Sequence, residues 1–204
     1  LEMAVTLAEA NKKDKEKLEI SEDTLQKVIQ RPLYYDKNGE EHYNIISAIH
    51  KSMRSSNPDA ASYWVVRMLS AGEDPLYVAR RLLRFASEDV GNSDPQALIL
   101  ANSVYESCHK LGMPECQVFL VQLAIYLSNA PKDNSAYMAE IKIKEDIEKY
   151  GNLPVPMHFR NAETKLMKEI GYGKGYEYDH DLEGKKSKQQ CLPDQLKNRK
   201  YLKE

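Results

Sequence analysis

Apolar residues recur at intervals of three and four along most of this chain, and proline and glycine mark where the runs begin and end. Ile45, Ile46, Ile49 and Met53 fall on one side of a helix written over 42–54. Leu76, Ala79, Leu82, Leu83, Ala86 and Val90 make a broad stripe on another. Val118, Phe119, Val121, Leu123, Ala124, Ile125 and Leu127 are apolar almost all round, which predicts a central helix buried on most sides. Asn57-Pro58 opens a run that closes at Gly72, Asp74-Pro75 one that closes at Gly91, and Asp94-Pro95 one that closes at Gly112. Met113-Pro114 opens a fourth that ends before Pro131. Proline suits the first helical turn, where its missing N–H costs nothing, and glycine suits the residue after the last turn, where φ turns positive. Connections this short force neighbouring helices to pack together and leave no room for a catalytic insertion.

The flanks are less regular. Leu1–Ala10 reads as the end of a helix, with Leu1, Val5 and Ala8 on one side. Ser21 caps a short helix through about Gln30, with Leu25, Val28 and Ile29 as its buried face, and Arg31-Pro32 stops it. Asp36-Lys37-Asn38-Gly39 is a turn signal that predicts a small hairpin near residues 34–43. A helix over Ser135–Tyr150 ends at Gly151, Leu153-Pro154-Val155-Pro156 is extended, and a short helix over Ala162–Ile170 is capped by Asn161 and stopped by Gly171. The remainder, with Gly171, Gly173 and Gly175 allowing tight turns, is an extended tail without its own core. The fold class is all-α, a bundle of about eight helices with short connections.

Composition narrows the chemistry. Lys plus Arg number 29 and Asp plus Glu 31, a net charge of −2, so no global basic field attracts nucleic acid. Three cysteines without a CxxC pair suggest a reducing, intracellular compartment. No apolar run reaches the roughly 18–20 residues of a membrane span, and no membrane partner is expected. The start at Leu1, inside a helical pattern, reads as a segment of something larger. No GxxxxGK[ST] loop occurs. Cys108, His109 and Cys116 lack zinc spacing, and the two cysteines read as small core residues. Ser47 and His50 are one helical turn apart with no oxyanion donor in view, so no catalytic residue, cofactor site or metal site is assigned.

Two groups stand out as surface candidates. Arg80, Arg81 and Arg84 precede Glu88 and Asp89 on one helix. Arg84 and Glu88 are spaced to pair, but carboxylates near a helix C-terminus oppose its dipole. They form either an ordinary solvated face or a network with partners outside the helix, such as Arg67 or a neighbouring subunit. Trp64, with Arg67 one turn on, is either a core tryptophan or an interface anchor. Thirteen tyrosines against three phenylalanines suit a partly wet surface.

Several runs carry a family resemblance. They include Tyr35-Asp36-Lys37-Asn38-Gly39-Glu40-Glu41-His42-Tyr43, Ser47-Ala48-Ile49-His50-Lys51-Ser52-Met53-Arg54, Tyr63-Trp64-Val65-Val66-Arg67-Met68-Leu69, Ala86-Ser87-Glu88-Asp89-Val90-Gly91, Ala130-Pro131-Lys132, His158-Phe159-Arg160-Asn161-Ala162 and Gly171-Tyr172-Gly173-Lys174-Gly175-Tyr176. In this order and over nearly the whole chain they resemble the C-terminal part of the RarA/MgsA AAA+ ATPases, whose eukaryotic relatives are the Werner helicase-interacting ATPases. Asn92-Ser93 and Cys191 depart from the usual pattern.

The resemblance implies a parent similar to clamp loaders, with DNA-stimulated ATPase activity at stalled replication forks in replication, recombination and repair. Its ATP and Mg site would lie upstream, so no catalytic residue carries over and this segment needs no cofactor. Residues 1–74 would be the end of the lid with its helical extension, 75–171 the oligomerisation domain and 172–204 the tail. The implied partners are further copies, forming a tetramer, and DNA through the whole protein. The implied compartment is the bacterial cytoplasm or the eukaryotic nucleus. The rival reading is a nucleic-acid-binding module using Lys185, Lys186, Lys188, Lys197, Arg199 and Lys200, although Glu177, Asp179, Asp181, Glu183 and Asp194 dilute that field.

Overall fold

A computed structural model describes residues 40–202, and their regular structure is helical throughout. Seven α-helices follow in order: α1 Glu40–Arg54, α2 Pro58–Ser70, α3 Pro75–Phe85, α4 Gln96–Leu111, α5 Gln117–Asn129, α6 Ser135–Tyr150 and α7 Lys165–Ile170. The chain divides into two compact units, Leu1–Asp133 and Asn134–Glu204. The boundaries expected at 74/75 and 171/172 each fall within one of these units. The elements expected before residue 40 lie outside the described residues. The part of the expected hairpin that is described is corrected: Glu40 and Glu41 form the first turn of α1, where carboxylates favour the positive end of the dipole.

In the first unit the helix starts are set by the punctuation in the sequence. The Asn57 side chain accepts from the Ala60 N–H at 3.0 Å, and that of Asp74 from Leu76 N–H at 3.0 Å. That of Asp94 accepts from Gln96 N–H at 3.1 Å. Each satisfies a donor that the first turn leaves orphaned. Two runs depart from the expectation. α5 begins at Gln117, three residues after Pro114, because a turn intervenes in which Cys116 N–H donates to the Gly112 carbonyl at 2.9 Å. The helix expected to reach Gly91 ends at Phe85 and passes into one π-helical turn, Ala86–Val90, closed by Gly91 N–H donating to the Ala86 carbonyl.

α5 is the central helix, packed against α1, α2, α3 and α4. Leu120, Leu123, Ala124 and Leu127 are fully buried in one cluster with Ile49, Met53, Val65, Met68, Val78, Leu82, Phe85 and Val90. Its outer side remains in solvent: Val118 is 65% and Ile125 41% exposed, two turns apart on one face. Cys108 and Cys116 lie in the core as free thiols, and burial pushes Cys108 up to about 12.

The second unit has little interior. α6 buries Ala139 and Asp146 but leaves Ile143, Ile147 and Tyr150 exposed. α7 is capped by Thr164, whose hydroxyl accepts from Met167 N–H at 3.2 Å, and not by Asn161. The glycine-rich run folds as consecutive tight turns, with Gly171, Gly173 and Gly175 at φ of 100°, 73° and 83°. The tail is held by side chains that reach backbone, such as His158 Nε2 on the Gln190 carbonyl at 2.8 Å.

Candidate functional site

Three of the charged candidates of the first unit, Arg84, Glu88 and Asp89, meet at the π turn. Widening the helix by one residue per turn carries Glu88 and Asp89 round to face the end of α1. Arg54, the last residue of α1, makes a two-point contact with Asp89, Nε to Oδ1 at 2.6 Å and Nη2 to Oδ2 at 3.0 Å. It also lies 3.8 Å from Glu88, which takes Arg84 Nε at 2.7 Å. Outside their own helix these acids therefore meet Arg54, and Arg67, one of the partners considered, pairs with Glu41 instead. A planar guanidinium matching both carboxylate oxygens is the strongest geometry such a pair has.

The same turn is tied from its other side. Asp133 N–H donates to the Asp89 carbonyl at 2.8 Å, and the Ser93 hydroxyl donates to Pro131 O at 2.9 Å. Gly91, at φ 54° and ψ −133°, sits so close to Asp133 that a Cβ there would meet its carbonyl oxygen at 2.4 Å. Lys132 donates to the Ser128 and Ala130 carbonyls, closing the end of α5, and burial lowers its ammonium pKa.

The remaining candidates are distributed. Trp64 is half-buried against the core, with the Arg67 guanidinium 5.1 Å from its ring centroid. Arg67 also reaches Glu41 at 3.4 Å. Arg80 lies 3.5 Å from Asp74, and Arg81 is exposed. Behind Arg54, His50 is buried against Phe85 at 5.7 Å, ring centroid to centroid. Burial and the nearby Arg81 and Arg54 charges lower it to about 4, outweighing Asp89 and Glu88. His50 thus packs its ring on Phe85 as part of the interior.

In the second unit, Lys185, Lys186, Lys188, Lys197 and Lys200 are exposed. Arg199 has a different use: its Nε meets the buried Asp146 of α6 at 2.7 Å, and the Tyr201 hydroxyl donates to the same oxygen at 3.0 Å. That carboxylate anchors the end of the tail. Arg54 and Asp146 are the two organising residues that sequence reasoning missed. Asp146 left one signal, an acid on the same helical stripe as Ala139 and Ile143. Among the described residues no group of three metal-ligating side chains occurs, and no helix is long and apolar enough to cross a membrane.

Residues 55–204 match the family model for the MgsA AAA+ ATPase C terminal, and residues 1–54 match one for an AAA C-terminal domain. The chain is 47% identical over 170 residues to the ATPase WRNIP1 of Dictyostelium discoideum, covering 83% of this chain and 19% of that protein. It is 46% identical over 168 residues to the replication-associated recombination protein A of Coxiella burnetii, covering 82% of this chain and 38% of the relative. With the Escherichia coli K12 protein of that name the identity is 44% over 182 residues, 89% of this chain and 40% of the relative. The chain thus spans less than half the length of these relatives.

Proposed function

This chain belongs to the MgsA family of AAA+ ATPases, in its C-terminal region, and from that premise we propose that it joins copies of its parent ATPase into a tetramer. The relatives' names supply the setting, replication and recombination. In this reading the parent is a clamp-loader-like, DNA-stimulated ATPase that acts at stalled forks and in repair. Its ATP and Mg site lies in the module upstream, and no residue of this chain takes part in hydrolysis. Four modules held together act on one DNA junction with raised avidity and no new DNA contact.

The observation that carries the reading is apolar surface left over after the interior is filled. Ile99 on α4, Leu111 and Met113 at the α4–α5 turn, and Val118 and Ile125 on α5, all in the first unit, are each at least 40% exposed. Fully burying a side chain of this kind contributes about 1.5–3 kcal/mol, against an association cost of about 4–15 kcal/mol. Several such side chains must therefore be covered on each chain, and closed point-group symmetry repeats the contact without leaving an open end. Glu88 and Asp89 are already used within the chain, so the glue in this reading is apolar, and Trp64 with Arg67 belongs to its rim. Light scattering on Val118→Glu tests it: the variant should lose mass relative to the parent chain while keeping its helical circular dichroism. An unchanged oligomer after Val118→Glu and Ile99→Glu together contradicts this face as the interface.

The second reading, DNA contact by the tail, rests on the five exposed lysines. It predicts saturable binding of single-stranded DNA at low salt that weakens steeply as salt rises. Its loss in Lys185→Glu/Lys186→Glu, with Arg199→Gln having little effect, would favour it.

A further inference from the structure

We infer that α1 is a strut shared between the two family segments, so that the seam at 54/55 carries no hinge and whatever moves α1 moves the helical domain that follows it. The inference rests on the proposed function for its meaning, since the module that would move α1 is the upstream ATPase. By sequence, α1 belongs to the segment matched over 1–54, and α2 opens the segment matched over 55–204. By packing, the two are one body. Ile45, Ile49 and Met53 are at most 2% exposed and share a single cluster with Val65, Leu82 and Leu123.

Both ends of α1 are fastened as well, and to different parts of the domain. At its start His42 Nδ1 lies 2.7 Å from Glu73 Oε2, in the α2–α3 connection, with its ring 4.6 Å from that of Tyr77. At its end Arg54 holds Asp89 in the π turn. The seam itself has no slack. Ser55, Ser56 and Asn57 N–H donate back to the carbonyls of Lys51, Met53 and Ser52 at 3.0–3.1 Å, and the Asn57 side chain then caps α2. A hinge needs a few residues free to change φ and ψ and few buried contacts around them. Here every backbone donor of the connection is engaged, and the helix before it buries one face along its length.

Native-state hydrogen exchange on the 204-residue chain tests this directly. The slowest amides of α1 should exchange within tenfold of the slowest amides of α5; a larger gap in favour of α1 opening overturns the strut. Arg54→Gln, a surface change that leaves the apolar core intact, should speed exchange at least threefold both in the last turn of α1 and at residues 86–90. Acceleration at only one of the two places also overturns it. Lys144→Gln serves as the control and should move neither. The oligomer mass is read separately: a monomer with a protected α1 removes the scaffold reading and leaves the strut standing.

Discussion

At the scale of single residues, the sharpest constraint is Gly91. Its positive φ suits glycine, and an added Cβ would collide with backbone, not with a side chain that can swing away. Gly91→Ala should cost about 3 kcal/mol or more by chemical denaturation, whereas Gly112→Ala, at φ 71° and ψ −173° but with nothing within 4 Å of an added Cβ, should cost its backbone strain alone, about 1–3 kcal/mol. Asp89→Ala should cost about 1–2 kcal/mol, the range for losing hydrogen bonds to a charged group whose partner remains half in water. His50 makes stability depend on pH. Its folded pKa, about 4, lies below the ordinary 6.5, so the unfolded chain takes up the proton first. Its contribution is intact above about pH 6.5 and is lost as the pH falls toward 4, by up to about 3 kcal/mol. His50→Leu should flatten that slope in urea titrations at pH 7 and pH 5, and an unchanged slope would assign the acid sensitivity elsewhere.

Helical elements divide by how locally they are specified. The starts of α2, α3 and α4 were legible because Asn57, Asp74 and Asp94 act on N–H groups two or three residues away. The π turn was not: the stripe from Leu76 to Val90 is as compatible with a plain α-helix, and what favours the wider turn is Arg54 and Asp133, distant in sequence. The two-point contact of Arg54 with Asp89 spans 35 residues and the single bond of Arg199 to Asp146 spans 53, so no spacing rule announces either. Periodicity also shows which face is apolar without showing what covers it, so Val118 and Ile125 read as core and lie in solvent. The same limit hid the tail's anchor, the pairing of Arg199 with Asp146. Asp146→Asn should loosen residues 199–202, seen as faster tryptic cleavage after Arg199 and Lys200 with no loss of helical signal from the first unit.

For the whole molecule, the described residues present a filled interior in the first unit, a sparse one in the second, and apolar side chains outside both. Arg67, Arg80, Arg84, Glu88 and Asp89 each have a partner within their own chain, which moves the weight of the scaffold reading onto Ile99, Val118 and the exposed apolar side chains near them. In the proposed scaffold these side chains meet the matching surface of another copy. Sedimentation equilibrium of the 23.4 kDa chain at micromolar concentration is the most direct test. The account predicts a single species of four chains; a monomer that persists as the concentration is raised would contradict it.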